Sequence, residues 1–236
     1  MSLIERSRKR MPLVFLLLLV GGCSSLKEVG PKSTVKRLET IQIAELYLNH
    51  RWVPTSANVY HGIDGNGIPV NTPDEFYRNG GDKGWWRVGV ENVSIPYKWG
   101  GFDTPKQFDQ NLDKGYYAGD AFSREKRHLL SEASSLKSTG VDCSGFVSRC
   151  LCLDRHYSTR DLPSVCQRLS DYSELKPGDI LNKKNDHVML FSHFEEGELV
   201  VYEAAAISIN RVRNARYTED FFRRNGYIPY QYKGIE

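Results

Sequence analysis

The chain has 236 residues, 40% of them hydrophobic and 26% charged, with a formal net charge of +3; that is the length of one globular domain with elaborations and enough to bury a real core. Residues 1–22 hold Arg6, Arg8, Lys9 and Arg10 against Glu5, so the whole excess of +3 lies there and the remainder is formally neutral. A neutral body lacks the clustered basic face that nucleic acid demands, which excludes that partner class.

The run from Met11 to Val20 is too short to cross a bilayer and follows a basic N-terminus, as the core of a signal peptide does. It ends in Val20-Gly21-Gly22-Cys23-Ser24, which resembles a bacterial lipoprotein signal. The resemblance implies removal of residues 1–22 and a lipidated Cys23 with acyl chains enough for stable anchoring. Ser rather than Asp at position 24 implies the outer membrane, facing the periplasm. Residues 23–35, rich in Ser, Lys, Gly and Pro, read as a tether.

From Val35 to His50, Leu38, Ile41, Ala44 and Leu48 recur at helical spacing. Residues 51–95 are broken by Gly62, Gly65, Gly67, Pro69, Pro73, Gly80, Gly81 and Gly84 and read as loops with a hairpin. Trp85 and Trp86 lie here, either covering the core or walling a cleft. Asp64 and Asn66 among glycines mimic a calcium loop, but no Glu follows at the required offset, so a turn is expected. Residues 102–139 are mostly polar, with a short helix expected around Ser123 to Leu136.

Asp142-Cys143-Ser144-Gly145-Phe146-Val147 is the most informative segment. Phe146, Val147, Cys150 and Leu151 follow Cys143 as one apolar stripe, with Ser148 and Arg149 on the polar side, so the spacing predicts a helix starting at Cys143 and capped by Asp142. A helix N-terminus favours thiolate over thiol, and thiolate is the attacking species. A nucleophile must stay reduced, so Cys150, Cys152 and Cys166 hold at most one disulfide; a Cys152–Cys166 pair and three reduced thiols both remain open. No second cysteine pair sits at zinc-like spacing, and the residues call for no metal or cofactor.

The second half reads as strands. Leu175-Lys176-Pro177-Gly178-Asp179 turns into Ile180-Leu181; His187 to Phe191 and Leu199 to Tyr202 form a hairpin around Glu195-Glu196-Gly197; Ile207 to Val212 reads as another strand and Thr218 to Arg224 as a short helix. Helices followed by an antiparallel sheet make an α+β class, with N-terminal helices packed on a central antiparallel sheet. A thiol nucleophile needs a base and a group orienting it. His187 heads a strand directly after the Asn185-Asp186 turn and is the expected base; His193 is its rival.

Four segments in order, Ile95-Pro96-Tyr97-Lys98-Trp99-Gly100-Gly101, Asp142 to Val147, Leu175 to Asp179 and Asp186-His187-Val188, resemble the NlpC/P60 family of cell-wall cysteine peptidases. The match runs from about residue 36 to the C-terminus, with insertions at about 51–95 and 102–139. The resemblance implies a papain-like fold, Cys143 as nucleophile, His187 as base, and Tyr97, Asp142 and Ser144 on the substrate side. It also implies a thiol protease that cuts peptidoglycan stem peptides beside D-glutamate in the cell envelope. Gly101 and Cys143 are 42 residues apart, whereas the family keeps them much closer. The third catalytic position, usually His, Asn or Gln, is offered here by Glu203, a carboxylate able to hold an imidazolium as the Asp of serine triads does. A catalytically inactive wall-binding module and a thiol acyltransferase are the competing readings; oligomeric state is open.

Overall fold

The computed structural model describes residues 30–236; the signal segment and Cys23 lie outside them. Five helices precede or interrupt the sheet: α1 (Arg37–Leu48), α2 (Pro105–Asp113), α3 (Arg124–Leu129), α4 (Cys143–Cys150) and α5 (Leu162–Val165). The sheet strands are β1 (Cys166–Arg168), β2 (Ile180–Lys183), β3 (His187–Glu195), β4 (Glu198–Ala205), β5 (Arg211–Thr218) and, after helix α6 (Glu219–Arg224), β6 (Ile228–Tyr232). They assemble in the order β5-β4-β3-β2-β6-β1, with every neighbour antiparallel. The expected α+β arrangement is therefore present.

Both sheet faces are covered. One presents Ile180, Val188, Leu190, Tyr202, Ala204 and Val212 to the larger core, where α1 and α4 meet through an edge contact of Tyr47 and Phe146 at 5.5 Å. The other packs Leu181, Met189, Phe191, Leu199 and Val201 against Phe222 of α6, Tyr172 and Tyr227. Period-two alternation in β3 and β4 serves two cores at once, and burial from both sides makes the register costly to slip.

Local chemistry explains the elements. The β3–β4 turn puts Glu196 and Gly197 at φ 50° and 81°, the left-handed pair that a two-residue hairpin of right-twisted strands requires. Helix α2, which lies outside the short helix expected around Ser123 to Leu136 and seen as α3, has Pro105 at its first position and a reciprocal cap: Gln107 N–H donates to Thr104 Oγ1 at 3.1 Å, and Thr104 N–H to Gln107 Oε1 at 2.8 Å. Asp64 Oδ1 accepts the N–H groups of Asn66 and Ile68 at 2.9 and 3.0 Å, the expected turn.

Several expectations need correction. In α1 the buried face is Thr40, Ile43, Ala44 and Tyr47, and Leu38 is 67% exposed; the contact of Tyr47 with Phe146 selects a face one position round from the aliphatic stripe. Ser148, assigned to a polar side of α4, is fully buried, and its Oγ accepts Tyr157 N–H at 3.1 Å. Residues 207–210 are no strand: Ile207, Ser208 and Asn210 have φ of 46°, 66° and 53°, left-handed backbone that cannot join a ladder. Asp82 holds this bend, accepting Ser208 N–H at 2.6 Å and Asn210 Nδ2 at 3.0 Å. The end of the segment read as a tether is docked, with Lys32 N–H on Cys152 O and Val35 N–H on Gly234 O, both at 2.9 Å.

The segment 102–139 packs as a body around Lys126, which is 1% exposed and reaches Asp120 at 2.6 Å and Pro69 O at 2.5 Å. Burial pushes the Asp120 carboxyl up to about 6 against the opposing pull of Lys126. Phe102, Gly101 and the first turn of α4 interlock closely: a Cβ built on Gly145 would lie 1.9 Å from Gly101 O. Gly145→Ala must push backbone apart, and overpacking of this kind costs ~1–3 kcal/mol. Urea unfolding should show that loss, whereas Gly81→Ala, with open space around it, should stay within about 0.5 kcal/mol of wild type.

Candidate active site

Cys143 opens α4, and Asp142 caps that helix by accepting Gly145 N–H at 2.6 Å. The second Asp142 oxygen accepts Gly100 N–H at 3.1 Å, tying the Gly100-Gly101 turn to the helix start although 42 residues separate them in sequence. Tyr97, one turn earlier, is 3% exposed. Burial first, then the charges of Cys143 and Asp142, push its phenol well above its ordinary value of 10.0, which keeps the hydroxyl protonated on the wall of a cleft that Cys143 also lines.

His187 starts β3, after a turn in which Asn185 takes φ 63°. Leu190 pairs with Tyr202, which sets Glu203 opposite Met189 and one diagonal step from His187 on the same face. His187 Nε2 lies 2.6 Å from Glu203 Oε2, leaving Nδ1 for the thiol. The other Glu203 oxygen accepts Arg213 Nε and the Tyr217 hydroxyl, both at 2.9 Å, and Arg213 is the direct cross-strand partner of Glu203. Cys143, His187, Glu203, Tyr97, Asp142 and Ser144 thus all line one cleft of about 890 Å³.

The electrostatics follow from the contacts. Burial by itself lowers the His187 imidazole, but the charge of Cys143, the hydrogen bond to it, and Glu203 overcome this and raise it to about 10. Burial alone would raise Glu203; the hydrogen bond and charge of His187, with Arg213 and Tyr217, hold it down at about 2. These contacts favour the protonated form of His187, beside Cys143 and braced by a carboxylate.

The other cysteines differ in setting. Cys150, Cys152 and Cys166 are buried and reduced; burial pushes the Cys152 thiol up to about 11 and that of Cys166 to about 12. His193 does not enter the cleft: a bulge between Phe191 and His193 breaks the parity, and the side chain is 54% exposed. Trp85 and Trp86 do not line the cleft either. They pack on Trp52 at 6.1 and 5.5 Å, and Trp85 Nε1 donates to Asn210 O at 2.9 Å.

Several contributors carry no clear signal in the sequence. Arg213 and Tyr217 stand two alternations apart on β5, a signal obscured by placing that strand too early. His156, in an irregular loop with no periodic signature, sets Nε2 3.0 and 3.1 Å from the two Asp142 oxygens and lines the cleft beside Ser144. The segment 102–139 adds Phe122, Arg127 and Ser134 to the walls, and Arg127 donates to Asn185 O at 2.7 Å in the turn before His187.

No family model matches the chain, and no curated protein matches it. Among solved structures it is similar to the peptidoglycan hydrolase RipB of Mycobacterium tuberculosis, with 21% identity, 60% of this chain and 58% of that one covered, and a TM-score of 0.36. It is similar also to a hypothetical invasion protein of Mycobacterium tuberculosis, at 22% identity over 60% and 56% of the two chains with a TM-score of 0.35. A mutated form of the Resuscitation Promoting Factor Interacting protein RipA gives the same identity, coverage and TM-score. The chain spans less than two thirds of each of these proteins.

The ion pair makes stability depend on pH with a definite sign. His187, raised to about 10, contributes fully below its ordinary 6.5 and loses that contribution as pH rises toward 10. Glu203, lowered to about 2, contributes fully above its ordinary 4.5 and loses it as pH falls toward 2. Urea midpoints of wild type and Glu203→Gln measured from pH 3 to 10 should differ most between pH 4.5 and 6.5, and the difference should narrow toward either end. In the same variant, NMR titration of the His187 ring should show its pKa lowered.

Proposed function

We propose that the protein is a cysteine hydrolase of amide bonds. What carries the reading is the convergence of Cys143, a cationic His187 and an ionised Glu203 in one accessible cleft. The Cys143 thiolate attacks the substrate carbonyl carbon, and the resulting oxyanion sits at the start of α4, where the Cys143 backbone N–H and the Tyr97 hydroxyl donate to it. His187 gives its proton to the departing amine as the C–N bond breaks, leaving a thioester on Cys143. A water, deprotonated by the now neutral His187, adds to that thioester; the C–S bond breaks and the acid leaves. Glu203 keeps the imidazole oriented and favours its charged form throughout, and Arg213 and Tyr217 keep Glu203 in place.

The papain-like NlpC/P60 resemblance supports a peptidoglycan stem peptide as substrate, and the lipoprotein-like Cys23 supports an anchored protein in the cell envelope. An inactive binding module of the same fold has less in its favour, since a binder has no use for a buried imidazolium beside a thiol. A thiol acyltransferase needs a cleft that keeps water out, and Trp85 and Trp86, the aromatic side chains that could have walled one, pack on Trp52 instead.

The full chain in detergent should release stem-peptide fragments from peptidoglycan, and Cys143→Ala should stop that release; equal release by the variant sinks the assignment. Tyr97→Phe should lower kcat by about 10²–10³ with KM little changed, the effect of losing one oxyanion donor. Labelling of the protein in cells by a radioactive fatty acid should disappear in Cys23→Ala, and persistent labelling would refute the anchor.

A further inference from the structure

Asp142 presents a problem that the reaction does not use. Its carboxylate is 8% exposed, adjacent in sequence to Cys143, and held below its ordinary value although burial works the other way. A buried anion on the residue before Cys143, lining the same cleft, disfavours a second negative charge there, because like charges in a poorly solvated site repel strongly. The helix cap that places the nucleophile therefore opposes its ionisation.

His156 is built into that position. Its Nε2 bridges both Asp142 oxygens at 3.0 and 3.1 Å and lies 3.2 Å from Ser144 Oγ, which itself donates to Asp142 Oδ1 at 2.9 Å. The ring meets Phe102 edge-on at 6.0 Å. Its loop is fastened on both sides: Tyr157 N–H donates to Ser148 Oγ on α4 at 3.1 Å, and Asn185 N–H donates to Thr159 Oγ1 at 3.1 Å. One irregular loop thus connects the nucleophile's helix with the turn that carries His187.

We propose that His156 is a positioning residue for Cys143: its imidazolium neutralises and orients the buried Asp142 cap, so that a thiolate forms beside a balanced ion pair instead of an unopposed anion. This rests on the reading of Cys143 as the nucleophile. The groups facing His156 are consistent with a cation there. Burial lowers its pKa, but the charge and hydrogen bond of Asp142 outweigh that and raise it; Lys98 acts against the cation and Asp161 acts for it. Hydrogen bonds from Gly100, Gly145, Ser144 and His156 occupy the Asp142 carboxylate, so what this end of the cleft offers is the His156 edge rather than a free carboxylate.

The test is the rate at which iodoacetamide alkylates Cys143 in the full chain in detergent at pH 6.5, with Cys143→Ala as the blank for the buried cysteines. Thiolate displaces iodide, so the rate reads the ionised sulfur without any assumption about substrate. His156→Gln, which keeps a donor and loses the charge, should alkylate about tenfold more slowly, the effect of ~1.4 kcal/mol of lost compensation. His156→Arg, which keeps a charge, should stay within about threefold of wild type, and adding His156→Gln to Asp142→Asn should change the Asp142→Asn rate by less than about twofold. A merely structural role would lower the melting temperature of His156→Gln while leaving the alkylation rate of the folded protein unchanged; that result overturns the proposal, as does an equal tenfold loss in the Asp142→Asn background. Absence of peptidoglycan release by wild type, with these alkylation results intact, would overturn the hydrolase reading and leave the role of His156 supported.

Discussion

The 2.6 Å contact between His187 and Glu203 is the interaction around which the sheet is organised. A carboxylate buried to 2% exposure costs several kcal/mol in lost hydration, and one partner seldom repays it. Here three groups together satisfy it, with His187 on one oxygen and Arg213 and Tyr217 on the other. They arrive from β3 and β5, the two strands that flank β4, which carries Glu203 itself. His187 is thus oriented by the register itself, and any slip of β4 by one residue would turn Glu203 to the opposite core.

Cys143 comes from the other half of the chain and is held by close backbone approach. Gly101 packs against Gly140 and Val141 on one side and Gly145 on the other, at separations no side chain permits. This contact, with the Asp142 cap, sets Tyr97 against Cys143 despite the long intervening segment. That segment is not a passive excursion. Through Arg127 it grips the turn before His187, and through Phe122 and Ser134 it walls the cleft. Residues 51–95 do a similar job from the far side, where Asp82 and Trp85 restrain the left-handed bend at 207–210.

Legibility varied for physical reasons that individual residues make plain. Helix α4 was readable because cap, nucleophile and apolar stripe are local and contiguous. The β3–β4 hairpin was readable because Glu196-Gly197 is a turn that little else accepts. Helix α1 was readable as a helix but not in its orientation, since burial went to Thr40 and Tyr47 over Leu38; a stripe shows that a face will be buried, and the partner decides which. Helix α2 was missed although Thr104-Pro105 and Gln107 spell its cap. His193 looked equivalent to His187 because a bulge leaves no trace in period-two alternation.

The candidate nucleophile, its base and Glu203 as support could all be picked out from the chain alone, because each is marked by local chemistry: a capped helix start, a strand head after a tight turn, a carboxylate inside an apolar strand. What surrounds them emerged only on folding. Arg213, Tyr217 and His156 matter through distances of about 3 Å to residues 10 to 14 positions away, and Arg127 through a contact across 58. Such contacts depend on strand register, a bulge and the docking of an irregular loop, all fixed by packing that no local pattern encodes.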